Sequence, residues 1–229
     1  MRTTRAVGAL AALAVLAGCA GPATVPVPAP AASPSSPPPS TPSPSSPPPS
    51  SAPVVPDTLL LPDEGGRSTV AEFTDWTTDR TLDRAWLLDP CRPTAYPTDR
   101  QRTRFRTVSR QGPEAQDARQ LGEYPTPDAA AEVIAGFRRA LDACRTGRAD
   151  HGATWTWVTA DAPDLGDDGF LAASTFVGPQ YSSHGARIAV TRAGSAVFLA
   201  FAGGEYYTAE LDGGAQAVRE VAQRFLDSL

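Results

Sequence analysis

Residues 20–56 carry no charged side chain and hold 15 of the chain's 24 prolines. Proline lacks a backbone donor and fixes φ, so a run this rich in it forms neither helix nor sheet ladder and settles into polyproline II instead. At about 3.1 Å per residue, these 37 residues can separate their two ends by on the order of 100 Å. A Pro-rich ligand for an SH3-like partner has similar composition, but the repeated Ser/Pro units, with Pro37-Pro38-Pro39 returning as Pro47-Pro48-Pro49, read as a disordered stalk in an exported chain, with hydroxyls suited to O-glycosylation. A packed core is thereby confined to residues 57–229, enough for one domain.

Ahead of the stalk, Arg2 and Arg5 precede an uninterrupted apolar stretch over residues 6–17. A permanent membrane helix needs about 20 apolar residues, so this shorter run reads as a signal peptide over residues 1–18. Leu16-Ala17-Gly18-Cys19 resembles the bacterial lipobox, whose cysteine becomes the mature N-terminus and carries a diacylglycerol thioether with chains of the palmitate type. Two inserted chains, each gaining roughly 0.8 kcal/mol per buried methylene, hold a protein on a membrane where one would be marginal. The expected location is the outer, extracytoplasmic face of the cell membrane, with that membrane as a partner through the anchor.

Charge narrows the function. All 20 basic residues are Arg, with no Lys and no Asn, as a high-GC genome would encode, and 25 Asp and Glu leave a formal charge of -5. With a pI near 5.0 the chain lacks the basic field that nucleic acid requires, so no nucleic-acid partner is expected.

Within residues 57–229, the lead-in to residue 87 is weakly patterned, with Leu59-Leu60-Leu61, Trp76 and Trp86 as packing anchors and room for a short helix. Residues 101–110 and 115–124 alternate with period two across Gln111-Gly112-Pro113 and predict a hairpin. Thr126 and Pro127 then open a helix whose apolar stripe, Ala130, Val133, Ile134, Phe137, Leu141 and Cys144, runs on until Gly147. Period two returns over residues 155–158, 170–177, 186–192 and 195–202; the last of these is apolar on both faces, as in a central strand. A closing helix from about Gly214 has Val218, Val221, Ala222, Phe225, Leu226 and Leu229 on one stripe. The order predicts an α+β fold: a single antiparallel sheet with two helices packed on one face, preceded by the stalk.

The run Tyr124-Pro125-Thr126-Pro127-Asp128-Ala129-Ala130-Ala131 leading through Phe137 to Cys144, with Ile188-Ala189-Val190-Thr191-Arg192-Ala193-Gly194 before a C-terminal helix, resembles the extracellular sensor-like domain of certain mycobacterial Ser/Thr kinases and of many free-standing actinobacterial lipoproteins. The resemblance implies a sheet backed by helices around a ligand groove, with no catalytic residue to carry over. Its usual pattern has two disulfides, whereas only Cys91 and Cys144 remain here once Cys19 is lipidated. Those two are also the spare thiols of an exported domain, where oxidation is expected, so a Cys91–Cys144 bridge follows from the residues as well.

Catalytic and metal signals are sparse. No Gly-x-Ser-x-Gly, His-Glu-x-x-His or phosphate-binding loop occurs; Ser182-Ser183-His184 reads as a surface loop, and Asp161, Asp164, Asp167 and Asp168 read as solvated turn residues ahead of a weak calcium site. No cofactor and no metal is implied. The alternating Arg102, Arg104 and Arg106 would line one strand face and suit an anionic ligand or lipid headgroup, the competing reading being cross-strand pairs with Glu114, Asp117 and Glu123. Trp155 and Trp157 share a face, suited to packing under a helix or to a carbohydrate platform. The sequence reads as a lipid-anchored, non-catalytic domain binding an amphiphilic or anionic ligand; a small envelope hydrolase built on His151 or His184, or a ligand-free structural protein, are the alternatives.

If Cys19 carries the lipid, Cys19→Ala releases the protein into the medium and abolishes metabolic labelling by a fatty-acid probe; an unlabelled wild type would disprove the anchor.

Overall fold

A computed structural model describes residues 55–91, 95–148, 152–178, 183–205, 209–211 and 213–229. The signal peptide, Cys19 and nearly all of the stalk therefore lie outside the described residues, as does His151. Eight strands and two helices follow one another as β1 (Thr77–Asp79), a 3-10 turn (Pro97–Gln101), β2 (Arg104–Gln111), β3 (Ala115–Glu123), α1 (Pro127–Ala143), β4 (Thr146–Arg148), β5 (Thr154–Asp161), β6 (Phe170–Val177), β7 (Ser183–Ala193), β8 (Ala196–Glu205) and α2 (Gly213–Asp227). They form one antiparallel sheet in the order β1-β2-β3-β8-β7-β6-β5-β4, so the α+β class, the hairpin and both helices stand as predicted.

β8 sits in the middle because neither of its faces is fit for water. Val197 and Leu199 point into one core with Ile188 and Val190 of β7, while Phe198 and Ala200 point into a second core with Ala189. Each face needs a cover. α1 supplies the first: Thr126 Oγ1 accepts the Ala129 N–H at 3.1 Å, Pro127 opens the helix, and Val133, Phe137 and Leu141 descend onto the sheet. Phe137 meets Trp86 and Tyr96 edge-on, with ring centroids 5.3 and 4.9 Å apart. α2 supplies the second, its Phe225 stacked 4.3 Å from Phe198.

The helices therefore occupy opposite faces of the sheet, which corrects the expectation of both on one face. The reason lies in β8: its two apolar rows leave two surfaces to bury, and a single helical layer would leave Phe198 in water.

Three smaller differences follow from tertiary packing. α1 stops at Ala143, four residues before Gly147, because Thr146–Arg148 pairs with β5 as an edge strand. Leu229, predicted on the buried stripe, lies past the end of α2 and is exposed. The lead-in contains β1 in place of a short helix; of its predicted anchors Leu61 and Trp86 are buried, Trp76 packs against the α2-side core, and Leu60 is exposed.

Cys91 and Cys144 form the expected disulfide, their Cα atoms 5.2 Å apart across a sequence separation of 53. It ties the segment after Trp86 to the C-terminal end of α1. In the chain-entropy account, closing a loop of this size stabilises the fold by up to about 4 kcal/mol. Non-reducing peptide mapping should recover the linked pair, and Cys91→Ser/Cys144→Ser should lower stability by no more than that; two free thiols in exported protein would contradict the bridge.

Candidate functional site

The three arginines expected to form one stripe do not share a face. β2 begins at Arg104, so period-two alternation holds from there onward and Arg102, which follows the 3-10 turn, is outside it. Its side chain is fully buried on the α1 side, the guanidinium 4.1 Å from the Phe105 ring centroid and bonded to the Arg84 carbonyl at 2.6 Å and to Asp99. Burial pushes the Asp99 carboxyl up against the opposing pull of Arg102.

Arg104 and Arg106 face the α2 side, where they fasten the lead-in segment to the sheet. Arg106 donates to the Leu59 carbonyl at 2.9 Å and to Glu64 at 3.0 Å, both side chains being less than a tenth exposed. Arg104 pairs with Asp57 and with its cross-strand partner Glu123, and Arg110 with Asp117. One of the cross-strand pairings weighed from sequence, Arg104 with Glu123, is thus present, while Asp117 is taken by Arg110, outside the expected stripe. Arg119, absent from the sequence reading, joins the scheme by holding Asp63 at 2.9 Å and lying over Trp76. A hollow of about 200 Å³ does open beside Arg80, Arg104 and Arg106, but Asp57 and Glu123 line it too and pair with Arg104, while Glu64 pairs with Arg80 and Arg106. The arginines are structural ties rather than an exposed anion stripe.

The acidic loop is likewise committed: Asp161 pairs with Arg138, Asp164 with Arg219, and Asp167 and Asp168 with Arg192. Among the described residues no group of three or more metal-ligating side chains occurs.

A different surface gathers chemistry. On the α1 face, the strand ends beyond the helix carry two cross-strand rows set by the register. Trp155 pairs with Phe176, Phe176 with His184, and His184 with Glu205; one pair further in, Trp157 meets Ser174, Ser174 meets Ala186, and Ala186 meets Gly203. Directly opposed side chains have Cβ atoms about 5 Å apart, so each row is a continuous surface. The outer row is aromatic and ends in a carboxylate, while the inner row is small beyond Trp157. Two adjoining hollows result, of about 210 and 300 Å³, sharing His184, Gly185 and Phe201.

Its walls are fixed. The segment carrying Leu87 and Asp89 is held by Leu87 N–H donating to Gln120 Oε1 at 2.7 Å, by Tyr96 O–H donating to the Leu88 carbonyl at 2.6 Å, and by the disulfide at Cys91. Burial raises the Tyr96 pKa, which keeps that hydroxyl a donor. Trp155 donates its Nε1–H to the Cys144 carbonyl at 3.3 Å and lies flat over Gly147. A Cβ at Gly147 would come 2.0 Å from the Trp155 ring, so only glycine lets the indole seat there. Trp157 packs partly against the α1-side core. Both tryptophans thus do structural packing and also present a face to the groove.

Sequence reading singled out Trp155, Trp157 and His184 but not Phe176, Phe201, Glu205 or Asp89. Period two assigns Phe176 and Phe201 to strand faces; their meeting with Trp155 depends on the register between strands.

No family model matches the chain, and no curated protein matches it. Among solved structures, the extracellular domain of PknH from Mycobacterium tuberculosis is similar, with 14% identity, a TM-score of 0.48, and coverage of 73% of this chain and 89% of that one. What the groove can do is read from this chain's own side chains.

Because Arg106 neutralises a buried Glu64, Arg106→Gln should destabilise the domain by about 3 kcal/mol or more, whereas Arg104→Gln, which removes half-exposed pairs, should cost under about 1 kcal/mol. Urea denaturation of both variants checks this order, and equal effects would show that the strap does not depend on the buried pair.

Proposed function

We propose that this protein is a surface-anchored lipoprotein whose extracytoplasmic domain binds an amphiphilic envelope ligand without transforming it. The anchor rests on Leu16-Ala17-Gly18-Cys19 and the stalk on residues 20–56; the observation that carries the binding role is the groove on the α1 face. Its aromatic row of Trp155 and Phe176, its floor of Ser174, Ala186 and Gly203, and its polar rim of Asp89 and Glu205 suit a ligand with apolar surface and a few polar groups. Walls tied by a disulfide and by side-chain hydrogen bonds keep the groove open before binding, which reduces the ordering cost of association.

A hydrolase would require His184 engaged with an activated hydroxyl. Ser174 lies one pair further along the sheet, and among the described residues no hydrogen bond joins it to His184, which favours binding over turnover. The anionic side of the sequence expectation rested on Arg102, Arg104 and Arg106; their ion pairs shift the proposed contact to the groove.

Native mass spectrometry of the full chain purified from its own host should find a retained small molecule, and Ser174→Phe, which fills the floor from a strand interior, should reduce its occupancy at least tenfold while leaving the melting temperature within a few degrees. A wild type that neither retains a species nor takes one up from host envelope extract would remove the binding role.

A further inference from the structure

We propose that one internal water molecule is part of the fold, held where the lead-in, the 3-10 turn and the end of β3 meet. Its partners are Trp86 Nε1–H, Arg102 Nε–H, the Tyr124 hydroxyl and the Asp99 carboxylate. The site is independent of the binding role proposed above.

Three polar atoms point to it. Trp86 Nε1, Arg102 Nε and Tyr124 Oη are closed off from solvent, and none has a hydrogen-bond partner in the protein; each of these residues is more than nine-tenths buried. They lie together. Arg102 sits over the Trp86 ring, 5.1 Å from its centroid, and although burial pushes the Tyr124 phenol up, Arg102 and Trp86 pull it back. Burial likewise raises the Asp99 carboxyl, against Arg102 and Trp86, which places that carboxylate at the same spot. Native folds leave few such buried groups without a partner, since each carries the cost of its lost hydration.

None of the three side chains is free to turn toward another partner. Trp86 is fixed edge-on to Phe105 and Phe137, with ring centroids 4.8 and 5.3 Å apart. Arg102 commits its terminal nitrogens to the Leu82 and Arg84 carbonyls and to Asp99. A Cβ at Gly122 would come 2.8 Å from the Trp86 ring and 3.3 Å from that of Tyr124, so the bare backbone there is what lets both rings lie against β3. Chemistry then selects water. Trp86 Nε1 and Arg102 Nε can only donate, whereas the Tyr124 oxygen can accept, and Asp99, whose oxygens take Arg102 and the Tyr96 N–H, has further lone pairs. A water accepts from the first two and donates to the second two, within the two to four bonds usual for a buried water. An anion would face the Asp99 carboxylate and add an uncompensated charge to a buried pair that is already neutral, and a cation would face two N–H donors.

The test is water-selective nuclear Overhauser spectroscopy on the isotope-labelled full chain. The Trp86 indole N–H should show a cross-peak to water with the sign of a held molecule. A hydroxyl exchanging with solvent could relay such a signal, so Tyr124→Phe decides: with the melting curve little changed, the cross-peak should persist with less than a twofold loss, because Trp86, Arg102 and Asp99 still hold the water. A cross-peak absent from the wild type, or lost in Tyr124→Phe, means that the indole meets the hydroxyl directly, and the internal water is overturned. A saturable shift of the Trp86 indole signal on titration with sodium chloride overturns it too, by placing an anion there. Should Tyr124→Phe fold poorly, crystals of the wild-type full chain replace it: an oxygen about 3 Å from both Trp86 Nε1 and Arg102 Nε is expected, and direct contact between Trp86 Nε1 and Tyr124 Oη is the contrary result.

Discussion

Burial of β8 on both of its faces is the constraint from which the architecture follows. Val197 and Leu199 on one side and Phe198 and Ala200 on the other are all inaccessible to water, and fully burying each large side chain is worth about 1.5–3 kcal/mol. That gain is available only if each face has its own cover. α1 serves one and α2 the other, which makes a three-layer arrangement from a sheet whose strand order alone would be compatible with two layers. The lead-in segment completes the second cover beyond α2, over β2 and β3, through Val55 and Leu61.

Arginine does the fastening. A chain without lysine places its cations where planar, multidentate pairing is needed, and here the strap is held through Arg104, Arg106 and Arg119 by carboxylates and backbone carbonyls together. Asp63, which takes Arg119 and lies near Arg224, does so from a positive φ of 70°, a conformation that Asp tolerates better than most residues. Charge that could have met a ligand is spent on holding the segment that joins the stalk to the domain.

The groove exists because α1 is shorter than the sheet it covers. The helix and the disulfide-tethered segment cap the inner parts of β7 and β8, and the strand ends toward His184 and Glu205 project past them. There the aromatic row becomes a wall and the small residues a floor, with the tether at Cys91 holding Asp89 and Leu87 on the far side. One covalent link therefore supports both the fold and the shape of the candidate site.

By itself the sequence determined the local elements: the period-two runs, the capped helix from Thr126, the two spare cysteines and the isolation of the Pro-rich stretch are each decided by residues close together in the chain. Tertiary structure decided what depends on distant partners. Which face each helix covers was settled by the two-sided burial of β8, although the doubly apolar run of residues 197–201 already hinted at cover on both sides. The fate of the arginines depended on where β2 starts and on carboxylates more than 40 residues away, as with Arg106 and Glu64. The row from Trp155 through Phe176 and His184 to Glu205 depended on the register of four strands. A one-residue slip would turn any of these side chains to the other face, and that register is set by the packing of the whole sheet rather than by any one segment.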